Sequence, residues 1–306
     1  MIRKEILKLN NNENIDWYNI ISINEEDKQE LINKEFITKR FLEYAIDVDE
    51  SARFENDKSR NIQLFCYDIP YFDNFIGSIA TTPIVFITKD NDVYTFITDN
   101  DDYDELNDLL YKIVHKKVYD SILHLILEVS YEFSFIYHDK IKFIHKERNE
   151  IKKSFIKDNK NTDIYKLLNL EQGLTYLTSS LKTNLMALNS IKRKKDDLLN
   201  IEIEKLENII IELEQATEMS DIALTIIDKE KSTYSTVIDN NLNKTMKFLT
   251  AFTVVLTIPT LIYGFWGINT PVPFQENPNG YIYVILISLL FSIITVILFW
   301  KNKFFK

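Results

Sequence analysis

Apolar and polar positions change their rhythm along the 306-residue chain. In the first hundred residues, apolar positions come in short runs. "NIQLFCYDI", "TPIVFITKD" and "DVYTFITD" are β-branched and aromatic, bounded by Asp, Asn, Pro and Gly, and predict strands. "DKQELINKEF" and "TKRFLEYAID" have helical spacing and predict short helices beside them. Between Pro83 and Pro259 there is no proline and only one glycine, Gly173. Such a window, rich in Leu, Ile, Lys and Glu, predicts long helices. Residues 103–155 predict one or two of them, and 162–198 another, with Gly173 tolerated or marking a bend.

From about Leu198 a third rhythm begins. Leu199, Leu206 and Leu213 lie seven apart, as do Ile209, Ala216 and Ala223, giving an interleaved heptad-like seam. The chain then runs without a breaker into "FLTAFTVVLTIPTLIYGFW", Phe248 to Trp266, which carries no charge. The joined helix would have nearly 70 residues and a length of roughly 100 Å. It needs neighbouring helices, from its own chain or from copies of itself. A second uncharged run, "YIYVILISLLFSIITVILFW", spans Tyr281 to Trp300.

Each run has the ~20 residues that a helix needs to cross a bilayer. Tyr263, Phe265, Trp266, Tyr281 and Tyr283 gather at one end of the pair, and Phe299 and Trp300 at the other, as interfacial belts do. The competing reading is two buried core helices. Lys244 and Lys247 precede the first run, and Lys301, Lys303 and Lys306 follow the second, while the connecting loop has no Lys or Arg. The positive-inside rule therefore expects both termini in the cytoplasm and the loop outside. The expected location is the plasma membrane, as a multi-pass protein.

The expected fold class is an α+β cytoplasmic domain followed by a long stalk helix and two C-terminal transmembrane helices. Its layout is an α/β domain over 1–102, a helical part over 103–197 and a stalk over 198–247. A first membrane helix covers 248–266, an external loop 267–280, a second membrane helix 281–300 and a tail 301–306.

Charge and composition narrow the function. The net charge is −10, and residues 1–247 carry −12 of it, because the charges after Lys247 sum to +2. So acidic a domain is a poor phosphate binder, which argues against nucleic acid, and it attracts cations. The single cysteine, Cys66, excludes an intrachain disulfide and an all-Cys metal site. There is no phosphate-cradling Gly loop, paired-His zinc motif or nucleophile elbow. Even the nearest pair of histidines in sequence, His138 and His145, stands ~10 Å apart along a helix, so His115, His124, His138 and His145 are expected to be ordinary helix residues. No enzyme and no resident cofactor are expected.

The informative constellation lies in the first uncharged run. Thr250, Thr253, Thr257 and Thr260 are spaced 3, 4 and 3, which places them on one helical face, and the same rhythm extends back to Met246 and Asn243. Either these hydroxyls bond their own i−4 carbonyls or glue helices together, or they face a polar pore. Just beyond, Tyr263 to Tyr281 holds three of the six prolines and three of the five glycines.

"NKTMKFLT", the uncharged run ending "YGFWGIN", the Pro-rich loop and the second run together resemble the CorA family of divalent-cation channels. "DVDESARFE" and "IQLFCYD" resemble family segments in the soluble part, and the order of domain, stalk and hairpin is the same, so the resemblance spans essentially the whole chain. It implies a homopentamer in the lipid membrane whose first spans line a pore. It also implies a selectivity filter at the external Gly-Met-Asn motif, here Gly267, Ile268 and Asn269, that meets Mg²⁺ in its water shell. Asn243, Met246, Leu249, Thr253, Thr257 and Thr260 match pore-facing positions of the family helix, with Thr250 on the same stripe. Ile268 stands where the family has Met, a residue that related zinc-transporting members also replace, and bears on ion preference.

In the family, intracellular Mg²⁺ bridges carboxylates of adjacent subunits and closes the channel. Asp68 matches one such position, with Glu207 on the stalk as its partner; the competing reading is a solvated surface acid. The expected function is import of hydrated divalent cations, Mg²⁺ above all, down the electrochemical gradient, with Mg²⁺ as both transported and regulatory ion. The alternatives are Zn²⁺, Co²⁺ or Ni²⁺ transport, and a hairpin-anchored scaffold or sensor that conducts nothing.

Overall fold

The β-branched runs pair with one another. In the computed structural model, β4 (Ile62–Asp73) and β5 (Ser78–Lys89) form a long antiparallel hairpin, and β6 (Asp92–Ile97) pairs antiparallel with β5. The hairpin turns tightly because the Asp73 carboxylate accepts from the Phe75 and Ile76 amides at 2.8 and 2.9 Å and Gly77 adopts φ +68°. The structure describes all residues except 1, 11, 22, 34–36, 98–102, 159–160, 195–197 and 302–306. The ends of the first predicted helix and of the third predicted strand, the junctions at 102 and 197, and Lys303 and Lys306 lie outside the described residues.

Three further strands were not expected. β1 (Ile2–Lys8), β2 (Asn14–Ile21) and β3 (Arg53–Asp57) complete a six-stranded sheet in the order β1-β2-β6-β5-β4-β3, with β2 parallel to β6 and the other pairs antiparallel. Both β1 and β3 are edge strands carrying charged residues, the kind of sequence that protects an exposed edge. One face of the sheet packs on α1 (Glu25–Asn33) and α2 (Lys39–Ile46), with Ile20, Leu64, Cys66, Val85 and Phe96 meeting Leu31, Phe41 and Leu42. Thr38 caps α2 by accepting from the Phe41 amide at 3.2 Å.

The other face is covered by long helices, as expected: α3 (Tyr103–Val114), α4 (Ile122–Asp158) and α5 (Asn161–Lys192). α5 runs through Gly173 without a break. A Cβ there would lie 3.0 Å from the Ser78 hydroxyl and 3.3 Å from the Ile79 amide nitrogen, so the glycine lets α5 lie directly on β5.

Two compact units partition the chain, Met1–Lys231 and Ser232–Lys306. The helix α6 (Asn200–Trp266) contributes to both. In the first unit its seam is occupied within the chain. Leu206, Ile209, Leu213, Ala216, Ser220, Ala223 and Ile227 are all buried, whereas Leu199 is exposed. Ser220 shares a 2.7 Å hydrogen bond with Thr178 of α5, and Glu212 pairs with His138 of α4 at 3.2 Å. Of the two sources of neighbours left open by the sequence, the seam uses its own chain. His138 thereby bridges α4 to α6, and His124, 2% exposed, pairs with Asp120 at 3.0 Å. Among the described residues no three His, Cys, Asp or Glu side chains converge to hold a metal ion.

Candidate functional site

In the second unit, α6 packs against α7 (Gly280–Lys301). On α7, Gly280, Val284 and Ser288 are buried at four-residue intervals, a small-residue face of the kind that lets apolar helices approach closely. On α6 the row Ala251, Val255, Ile258 and Ile262 is buried or half-buried. The Tyr263 hydroxyl meets the Ser288 hydroxyl at 3.0 Å, so the first of the sparse polar residues of the second run serves the helix pair. Of the apolar stretch in α6 only 6% is buried, and in α7 11%. Both helices are long and apolar enough to cross a membrane, and their exposure disagrees with the core-helix reading.

The threonines occupy the opposite side. At about 100° per residue, the positions 250, 253, 257 and 260 centre roughly 200° around α6 from the row 251, 255, 258 and 262. All four are exposed, as are Asn243, Met246 and Leu249, which fall within the same arc. The hydroxyls of Thr253, Thr257 and Thr260 donate to the carbonyls of Leu249, Thr253 and Leu256 at 2.8, 2.8 and 3.1 Å. The i−4 bonding weighed from the sequence is therefore present. It has a second consequence. A hydroxyl that has donated its proton along the helix keeps only lone pairs for its surroundings, so this face presents acceptors.

The helix ends where the glycines begin. The Gly267 amide donates to Tyr263 O at 2.9 Å, closing the last turn, and Ile268 and Asn269 follow exposed. Asn269 makes no hydrogen bond among the described residues, and it is not among the residues with positive φ. It therefore does not cap the helix, because Gly267 makes that bond and Asn269 lacks the left-handed conformation of a capping Asn. Its amide is left exposed.

The two regulatory candidates stand differently. Asp68 is 7% exposed, so it is not a solvated surface acid. One carboxylate oxygen accepts from the Thr183 hydroxyl at 3.0 Å, and burial pushes its pKa up to about 6 against the lowering effect of its hydrogen bonds. Its backbone is held by Asn184 of α5, whose side-chain oxygen accepts from the Asp68 amide at 2.8 Å and whose amide nitrogen donates to Asp68 O at 3.0 Å. Glu207 is half exposed and paired with Lys192 at 3.3 Å. Thr183 and Lys192 are separated by roughly 13 Å along α5, so one chain does not bring the two carboxylates together.

Comparison with known proteins agrees with this architecture. Residues 12–302 match the family described as CorA-like Mg²⁺ transporter protein. The chain is 24% identical over 297 residues to the cobalt/magnesium transport protein CorA of Methanocaldococcus jannaschii, covering 94% of this chain and 90% of that one. It is 23% identical over 251 residues to a magnesium transport protein CorA of Helicobacter pylori, covering 74% and 77%. Among solved structures, the complete CorA magnesium transporter of M. jannaschii superposes with a TM-score of 0.78 at 23% identity, over 95% of this chain and 91% of that one. The α/β domain, the long helix and the C-terminal apolar helix are thus shared with that fold.

Proposed function

Because the chain belongs to the family of CorA-like Mg²⁺ transporter proteins, and is a membrane transporter rather than an enzyme, we propose that it is a homopentameric channel importing hydrated divalent cations, Mg²⁺ first among them. The names of its relatives, which include magnesium and cobalt transport, support this cargo. The observation that carries the reading is the acceptor face of α6. Five copies turned inward would stack rings of threonine oxygens at Thr250, Thr253, Thr257 and Thr260, below an outer ring of Asn269 amides, with Asn243, Met246 and Leu249 toward the cytoplasm. Mg²⁺ releases its waters reluctantly, and those waters point their protons outward, so a lining of neutral acceptors suits the hydrated ion. Ile268 beside Asn269 keeps an apolar side chain and leaves Co²⁺ as the second cargo, which the name of the M. jannaschii relative includes.

In this reading the protein lies in the plasma membrane with both termini in the cytoplasm. Intracellular Mg²⁺ at Asp68 and Glu207 then requires a second subunit, since one chain keeps them apart.

Cysteine reactivity tests the pore face. Cysteines at Thr257 and Thr260 should react with a small hydrophilic thiol reagent and block flux. A cysteine at Ile297, about 180° around α7 from the buried Ser288, should react slowly because it faces lipid. The native Cys66 is fully buried and burial raises its thiol pKa, so it adds little background. Equal reactivity at all three positions would remove the pore.

A further inference from the structure

The segment carrying the proposed filter is held from its ends. Among the described residues Ile268, Asn269 and Thr270 make no backbone hydrogen bond of their own. On the α6 side they hang from Gly267. On the return limb, the Trp266 indole Nε1–H donates to the Pro273 carbonyl at 2.9 Å, which closes residues 266–273 into a loop. Trp266 is itself braced by the Phe265 ring, edge-on at 5.0 Å between centroids. It is half-buried on the α7 side of the helix, away from the threonine face. In the proposed pore the latch therefore lies off the path of the ion.

Beyond it the chain is locked again. Phe274 has φ 68°, rare for an aromatic residue, and its ring lies 5.2 Å from that of Tyr283 on α7. A Cβ at Gly280 would collide with the Phe274 carbonyl, so only glycine fits where α7 begins. Pro273 is thus fixed from both directions, and Trp266 transmits that fixed point to the start of the Asn269 segment.

We infer that Trp266 is a positioning residue for the outer ring, its indole N–H setting the place of Asn269 by tying the last turn of α6 to Pro273. The inference rests on the filter role proposed for Asn269. Without the tie the segment still exists, but its five amides no longer converge at one radius, and an arriving hydrated ion is held less well.

The test uses full-length protein in liposomes, measuring the apparent KM and maximal rate of Mg²⁺ uptake. Two variants are compared: Trp266→Phe, and replacement of Trp266 by 3-benzothienylalanine, which keeps the ring shape and has sulfur in place of the N–H. Both should raise the apparent KM about five-fold, the weight of one neutral hydrogen bond. Oligomer size should stay unchanged and the maximal rate should remain within about two-fold, since those effects belong to assembly and conduction rather than to ion capture. An unchanged KM in the benzothienyl protein overturns the inference, as does a loss of oligomer and maximal rate together in that protein. If Trp266→Phe does not assemble, the isosteric variant decides alone. Asn269→Ala distinguishes the two levels. Uptake surviving that change removes the filter itself, whereas uptake lost with the benzothienyl variant behaving as wild type removes only the role of Trp266.

Discussion

Asn269→Ala is expected to abolish Mg²⁺ uptake while leaving the oligomer assembled. In the proposed pentamer the change removes five acceptors at once. Each contact with a water of the ion contributes modestly, ~0.5–1.5 kcal/mol between neutral partners and more when the ion polarises the water. Together they amount to several kcal/mol, orders of magnitude in ion occupancy. Assembly should survive because Asn269 is exposed and has no hydrogen-bond partner among the described residues. Asn269→Gly sharpens the test. If the side chain served only the backbone, glycine would replace it at no loss; as a ring of acceptors it leaves glycine as inactive as alanine. Uptake in liposomes, together with oligomer size, separates these outcomes.

A second large effect is expected in the first compact unit. Asn184→Ala should destabilise the α/β unit by roughly 2–4 kcal/mol, because it strands the buried Asp68 N–H and removes the side chain from a buried hydrogen-bond network. The reason lies in the sheet. β3 pairs with β4 only as far as Cys66, so the N–H and C=O of Asp68 lie beyond its reach. Both groups point away from β5, where Asp68 stands opposite Pro83 in a pair that exchanges no hydrogen bonds. The Asn184 side chain, 0% exposed, supplies one donor and one acceptor and so continues the ladder where the strand stops. It also donates to the Tyr137 hydroxyl at 3.0 Å, which itself donates to Asp68 O at 2.7 Å. A thermal midpoint lowered by roughly 5–10 °C is the expected reading for a unit of this size. An unchanged midpoint would show that water replaces the amide there.

The strands β4, β5 and β6 were legible because each is a continuous β-branched or aromatic run. β1 and β3 were not, since edge strands carry charges and resemble loops, and the pairing of β2 with β6 joins segments more than seventy residues apart. The long helices were legible from the absence of Pro and Gly, but Gly173 and Asn184 were not. Each acts through a contact with a strand about a hundred residues away, and no local pattern in α5 announces it. The heptad seam of α6 was legible as a buried stripe, yet a stripe does not name its partner, and it proves to be the chain's own α4 and α5.

For the candidate site the balance is similar. Spacing alone placed the threonines on one face. It did not decide that this face would point away from α7, since that depends on which residues of the second run are small. The Trp266–Pro273 tie was invisible, because it joins an aromatic residue to a backbone carbonyl.

Mg²⁺ uptake by the reconstituted protein under an imposed inside-negative potential, without nucleotide, tests directly whether it is a channel. A divalent ion gains about 4.6 kcal/mol per 100 mV, so uptake should run well above that of protein-free vesicles, faster as the potential is made more negative. Absence of flux, or a flux indifferent to the potential, would contradict a channel for hydrated divalent cations.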